Sequence, residues 1–363
     1  MRGFFLVKFL MNGNTDLIQN KIELLLSLWK DYKNANALYK AGPYWDKKGP
    51  IAIKDIKRFG ITDFRGGGNT IGTSFTDAST IDVRPQWNLG VKNYVSFFLT
   101  NIYPFNKLFD FQVAYSKNYF DRLNERINYS ILKDRELLLM LKKFKPPEEN
   151  IKGGCKTYCS IEGVNVSHHY IQDLWRLRTI SQEIDLSENK TYFEIGGGFG
   201  SFTHCILKNY NKVRKVVYLD IPPNLYIGTQ YLRSFYGDAV KDYNELRTKT
   251  EISFKDDDSL EIFCLASWQI ENLRCEVDWF HNANSFVEMP KSIVENYGKF
   301  IKNLMSKNGS ISLVSYDAFD SATTYNPADL PKLLNIRKDK LKVSMKPRAL
   351  LESRSDFYAT YKP

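Results

Sequence analysis

A chain of 363 residues that is 43% hydrophobic and 14% aromatic can fill one large core or two ordinary ones, which excludes disorder as a description of the whole. The apolar run Phe4 to Met11 is broken by Lys8, is too short to span a bilayer and precedes no small-residue cleavage site, so the expectation is a soluble cytoplasmic protein. The net charge of +10 is uneven: residues 1–165 hold 25 Lys+Arg against 16 Asp+Glu and 166–363 hold 26 against 25, so the first part attracts an anionic partner or simply presents a solvated basic face.

The first periodic segment places Ile18, Ile22, Leu25, Trp29 and Tyr32 at spacings of three and four behind a possible cap, Asp16, and reads as a helix that Gly42-Pro43 ends. Residues 65–88, rich in Gly, Ser and Thr, show no sustained period and read as a loop. From Tyr94 to Phe144 the spacing is helical again and closes at Pro146-Pro147. The expectation is therefore a mainly helical region over 1–165.

After Ile161 the pattern changes to short β-branched or aromatic runs that alternate with helical segments, as in a parallel sheet with crossover helices. Strands are predicted near 191–196, 215–220, 261–266, 277–283 and 310–316, and helices near 170–183, 200–210, 223–236 and 290–306. Lys340 to Ala349 and Asp356 to Tyr361 add two strands that suit an antiparallel hairpin at the sheet's end, an ending typical of class I methyltransferases. The predicted fold is α/β, a seven-stranded Rossmann-like core over 166–363.

The segment TYFEIGGGFGSFTHCIL joins a strand, a glycine turn and a helix, the context that nucleotide binding at a turn requires. Its pattern is E-x-G-x-G-x-G, whereas a dinucleotide site prefers G-x-G-x-x-G and would need a third glycine where Ser201 stands. Glu194 before the turn favours a cofactor with an ammonium and a sulfonium over one with a pyrophosphate, since a carboxylate repels phosphates. Twenty residues past Gly200, Asp220 ends a second strand, where its carboxylate can accept from both hydroxyls of a ribose. The predicted cofactor is S-adenosylmethionine, held by Glu194, Gly196, Gly197, Gly198, Gly200, Asp220, Ile221, Ser267, Trp268 and Asn282. Trp268 either stacks on the base or plugs the sheet edge.

Three segments taken together, YFEIGGGFG, VVYLDIPPNLYIGTQYLRSFYG and VDWFHNANSFVEMP, resemble the sugar O-methyltransferase family within the class I S-adenosylmethionine-dependent methyltransferases. The resemblance covers roughly 155–320, including IEGVNVSHHYIQDLWRLRTI, and is weaker before it. It implies O-methylation of a sugar hydroxyl on a glycan or a nucleotide-linked or phosphorylated precursor, and it carries Asn282, Ser285, Glu288 and Met289 over as site residues.

Methyl transfer to an alcohol needs a general base, or a divalent metal that acidifies the hydroxyl, and the sequence leaves the metal undecided. The candidate catalytic residues are Glu288, at a turn into a helix, and His281, whose strand position shared with Trp279 and Ala283 equally suits a buried histidine. His169 is a third, on an element that precedes the cofactor turn. The acceptor, an anionic sugar by charge, is expected to meet Arg65, Asn284, Ser285, Tyr316 and Asp317, with Arg84 assisting. The C-x3-C pair Cys155 and Cys159 beside His168 and His169 is a loose match to zinc, Asp256 to Asp258 reads as a solvated turn, and five scattered cysteines argue against disulfides. The rival readings are an RNA or other small-molecule methyltransferase, a non-catalytic cofactor-binding protein and, last, a nicotinamide oxidoreductase. No RNA-binding module is recognisable, so nucleic acid is not the expected partner.

Overall fold

The computed structural model describes residues 21–62, 64–65, 124–125, 128–129, 131, 133–146, 152–155, 158–161, 163–316, 324, 326–348 and 351–362. Asp16, Ile18, Asp317 and the whole stretch 66–123, Arg84 included, lie outside them.

Helix α1 (Ile22–Asn34) buries Leu24, Leu25, Leu28 and Tyr32, the stripe its period demands. Gly42-Pro43 does not simply end this element, as expected from sequence, but opens another. Gly42 is the N-cap and Pro43 the first residue of α2 (Pro43–Phe59). Proline at that position costs no hydrogen bond, because the first helical amides have no partner in any case. Helix α3 (Arg135–Lys143) starts where the Asp134 carboxylate accepts from the amides of Glu136 and Leu137. Strands β1 (Tyr158–Ile161) and β2 (Val164–Ser167) form an antiparallel hairpin that the sequence reading omitted. Its signal was the two-residue connection ending at Gly163, whose φ of +82° suits glycine.

From there the chain alternates as predicted: α4 (His168–Ser181), β3 (Thr191–Ile195), α5 (Ser201–Asn209), β4 (Lys215–Asp220) and α6 (Pro222–Tyr236), then β5 (Val240–Lys241) and β6 (Glu261–Ala266). It continues through β7 (Val277–Ala283), α7 (Lys291–Leu304), β8 (Met305–Tyr316), β9 (Leu341–Arg348) and β10 (Leu351–Tyr361). The sheet order is β5-β6-β4-β3-β7-β8-β10-β9. All neighbours from β5 to β8 pair parallel, and β10 runs antiparallel to both β8 and β9. The expected seven strands are present, and the two-residue β5 adds an eighth at one edge.

The parallel strands are buried on both faces, which is why they read as continuous apolar runs rather than alternating ones. Tyr192, Trp279 and Val314 belong to the core shared with α1, α2, α4, α5 and α6. Phe193, Phe280 and Leu313 belong to the core shared with α7. The reversal of the chain's direction across β3, between β4 and β7, leaves a crevice at the carboxyl ends of these strands, the usual ligand position in such sheets. Among the described residues no helix is long and apolar enough to cross a membrane.

Candidate active site

At the carboxyl end of β3 the chain turns through Gly196, Gly198 and Gly200, with φ of +74°, +64° and +84°. A side chain would be strained at each, which is the physical content of the alternating glycine pattern. Gly196 has a second reason: a Cβ there would lie 2.1 Å from Ser285 Oγ. Gly197 is packed over Glu194 and Tyr218, both 2.8 Å from where its Cβ would stand.

The two carboxylates singled out from sequence hold the turn in different ways. Glu194 is buried beneath it and accepts a 2.6 Å hydrogen bond from Thr203 Oγ1 on α5. Burial pushes its pKa up to about 7, against the opposing pull of Thr203. In this position it braces the turn from below. Asp220 ends β4 beside the turn, and its carboxylate accepts from the amides of Gly198 at 2.9 Å and Ile221 at 2.7 Å and, at 3.4 Å, from Asn224 Nδ2. Burial raises its pKa to about 7 as well, the amide bonds opposing and nearby Glu288 adding to the rise.

The β7 rim is locked to the same turn. Asn282 Nδ2 donates to the Ile195 carbonyl at 2.8 Å and to Ser285 Oγ at 2.6 Å, and its Oδ1 accepts from the Phe286 amide at 3.3 Å. Asn284 follows with φ of +64°, a conformation that asparagine tolerates better than most residues. Strained backbone of this kind gathers at functional sites. Glu288, four residues on, accepts from Trp45 Nε1 at 3.2 Å and from the Tyr316 hydroxyl at 3.3 Å. Glu288 and Tyr316, each named from the sequence, meet here, and Trp45 from α2 joins them.

The N-terminal segment lies across the carboxyl ends of the strands. Ser267 Oγ donates to the Tyr39 carbonyl at 2.6 Å, the Tyr39 hydroxyl binds the Glu271 carboxylate, and Arg247 and Tyr243 both bind Asp31. Trp268 is half-buried, 6.2 Å from Tyr32 and edge-on to Tyr243 at 5.7 Å. Gly42 is needed here for space, since a Cβ would sit 1.9 Å from the Glu288 carbonyl oxygen. Trp45, Tyr32 and Tyr39 were missed because contacts about 230 residues apart leave no local periodicity to read.

Two candidates are corrected. His281 is fully buried on the α4–α5 face of the sheet, stacked 4.4 Å from the Phe202 ring. Trp279 Nε1 donates to Ser312 Oγ at 2.8 Å, and His281 Nδ1 lies 2.7 Å from the same hydroxyl. Burial holds the imidazole's pKa well below the usual value, so it cannot reach or serve an acceptor as a base. Arg65 is 2% exposed, donates from Nη1 to the Lys152 carbonyl at 3.1 Å and lies 5.0 Å from the Phe199 ring, which makes it a prop behind the turn rather than a hand for an anion. His169 contacts Ser201 Oγ at 3.0 Å and the Phe199 ring at 5.0 Å, beside the turn and on the α5 side of it. Among the described residues no group of three or more His, Cys, Asp or Glu side chains gathers as a metal site.

The strand β10, reversed and inserted between β8 and β9 at the end of an otherwise parallel sheet, decides the architecture. The fold is that of a class I methyltransferase. No protein-family model matches the chain, and no curated protein matches it. Among solved structures, the pyocyanin biosynthetic protein PhzM is similar at 12% identity over 53% of this chain and 56% of its own, with a TM-score of 0.36. The mitomycin 7-O-methyltransferase MmcR shows 14% identity over 51% and 52%, TM-score 0.35. Human N-acetylserotonin methyltransferase, determined in complex with SAM, shows 12% identity over 53% and 54%, TM-score 0.34. The chain spans about half the length of each of these proteins.

Proposed function

We propose that the protein transfers a methyl group from S-adenosylmethionine to a sugar hydroxyl on a glycan or on a nucleotide-linked or phosphorylated precursor. The observation that carries the cofactor is the convergence of the glycine turn, the Asp220 carboxylate and the Ser267-Trp268 segment at neighbouring strand ends. The donor set fits a nucleoside. An ionised carboxylate offers about four acceptor positions, and Asp220 has filled three, the one toward Asn224 being the longest. A ribose hydroxyl takes the fourth, and a second displaces Asn224.

The bound cofactor supplies an electrophilic methyl group on a sulfonium. The chain's part is to exclude water, to align the hydroxyl with that methyl and to accept its proton. Glu288 is the acceptor of that proton: it sits at the β7 rim near Asp220, and the Trp45 and Tyr316 donors fix its carboxylate in place. With the cofactor bound, a Glu288 oxygen would take the proton of the hydroxyl that is methylated. Asn284, strained and half-buried at the same rim, and Tyr316 are the acceptor-side residues. The sugar rests on the resemblance of the Asn282, Ser285, Glu288 and Met289 block, and its anionic character on the basic N-terminal half.

Calorimetric titration with S-adenosylhomocysteine, run beside NAD and repeated on Asp220→Ala, tests the cofactor. Micromolar binding that the substitution weakens supports the proposal, and a screen of nucleotide sugars for one-methyl mass gain then tests the acceptor. Tighter binding of NAD, or no binding of the homocysteine product, defeats it.

A further inference from the structure

Helix α2 grips the body of the protein with one face. Gly49, Ala52, Ile53 and Ile56 are buried on it, and Trp45 on the same side reaches the Glu288 carboxylate. At about 100° per residue, Lys47, Ile51, Lys54 and Arg58 fall on the opposite side within a stripe about 60° wide. Pro50 and Lys57 lie beside them, and all six residues are exposed. The helix's two carboxylates, Asp46 and Asp55, stand off this stripe on either flank.

The charges on this face are unspent. Lys47, Lys54 and Lys57 take part in no hydrogen bond or ion pair among the described residues. Arg58 lies 4.9 Å from the Phe59 ring. Solubility would account for the cations but not for their company, since Ile51 is 50% exposed within the stripe and Phe59 57% exposed at the helix's end. Cations on long stems around exposed apolar side chains form the composition that settles on an anionic bilayer: the apolar groups enter the boundary below the headgroups while the charges stay with the phosphates. The surrounding sequence carries the same sign, with nine Lys and Arg against four Asp and Glu over 21–60. A lasting attachment to a bilayer takes two signals, and the sequence holds a second. The run Phe4 to Met11, outside the described residues, contains seven apolar residues and no charge but Lys8, ten residues before α1.

We infer that the outer face of α2 is a docking surface for an anionic lipid bilayer, with Lys47, Lys54, Lys57 and Arg58 meeting the phosphates and Ile51 and Phe59 entering below them. Nucleic acid offers the same phosphates, but Ile51 at the centre of the stripe gains nothing against a sugar-phosphate backbone. About 10 Å, one helix thickness, separates this face from the side that carries Trp45, so docking holds the rim of the crevice close to the headgroups. The surface stands apart from the cofactor and acceptor readings and does not depend on them.

The test is flotation of the full chain with vesicles of phosphatidylcholine, with and without phosphatidylglycerol. Binding is expected to be at least tenfold stronger to the vesicles that contain phosphatidylglycerol, and to fall steeply as salt is raised. Lys54→Glu combined with Arg58→Glu should weaken it at least tenfold. Ile51→Ser should weaken it about fivefold while leaving its salt dependence unchanged. These side chains are exposed, so the variants should melt at the wild-type temperature; if the double charge reversal does not, Lys54→Gln with Arg58→Gln replaces it. Equal binding to both kinds of vesicle, binding to neither, or wild-type binding by the charge variants overturns the proposal. Displacement from the vesicles by an equimolar RNA duplex also overturns it, in favour of a nucleic-acid surface.

Discussion

Replacing Gly42 by alanine asks whether α2 is pressed against the active-site rim as tightly as described. Gly42 has φ of −76°, so alanine meets no conformational penalty there. On backbone entropy alone the substitution should stabilise by about 0.4–1 kcal/mol. The structure demands the opposite sign. The new Cβ would lie 1.9 Å from the Glu288 carbonyl oxygen, 3.0 Å from its carbonyl carbon and 3.1 Å from Met289 Cα, and no rotamer relieves a contact with backbone. Restoring ordinary contact moves α2 outward by about 1.5 Å. That stretches the 3.2 Å bond from Trp45 Nε1 to Glu288 beyond hydrogen-bonding range. Overpacking costs about 1–3 kcal/mol and a lost bond to a charged group about 1.5–3 kcal/mol. If the chain relaxes to lose only one of these, the net is about 2 kcal/mol of destabilisation, seen as a melting point lower by about 2–5 °C. The assay is thermal unfolding followed by tryptophan fluorescence. A melting point equal to or above wild type would refute the contact and, with it, the placing of Trp45 on Glu288.

Cofactor affinity should follow the ionisation of Asp220, because only the carboxylate accepts from two hydroxyls. With a pKa raised to about 7, binding of S-adenosylhomocysteine should strengthen about tenfold from pH 6 to pH 8, and Asp220→Asn should bind weakly with a flat profile in calorimetry. Stability without ligand runs the other way. Glu194 and Asp220 both have folded pKa values of about 7, above their unfolded values, so the folded chain binds more protons between about pH 4 and 7 and loses stability as pH rises through that window. Differential scanning calorimetry should show a higher melting point at pH 5.5 than at pH 8, and Glu194→Gln should shrink the difference; an unchanged difference would show that Glu194 does not titrate as described. His281→Ala removes a packed ring and strands the Ser312 hydroxyl, at a cost of about 2–4 kcal/mol in denaturant unfolding. Its affinity for S-adenosylhomocysteine should stay within twofold of wild type, and a large loss of binding would return His281 to the site.

What the sequence made legible follows from which interactions are local. The strands 215–220, 261–266 and 277–283 match to the residue because strands buried on both faces appear as uninterrupted apolar runs ending at a charge or a turn. The glycine turn was legible because positive φ leaves its mark as a residue type. Gly42-Pro43 was ambiguous by nature, since the same pair that stops one helix can start another, and only the chain's path decides. His281 was placed on the correct face, and what the sequence withheld was the layer of Phe202 and Ser312 that closes over it. Arg65 looked like a surface cation because nothing nearby in sequence announces the Phe199 ring or the Lys152 carbonyl that bury it.

The inserted strand β10 also governs the order in which the molecule can be assembled. Among the described residues, strand β9 joins the sheet through β10, with Leu341 to Arg348 paired along it, so β9 docks once the later strand has emerged from the ribosome and slid into place beside β8. The half-sheet from β5 to β8 must persist meanwhile with β8 as an open rim, a template for wrong partners. Because β10 runs from Asp356, paired with Tyr316 at the end of β8, to Tyr361, paired with Ile311 midway along it, the strand heads away from the glycine turn. A purification handle fused after Tyr361 therefore emerges away from the ligand crevice, whereas anything that delays β10 exposes the whole β8 edge.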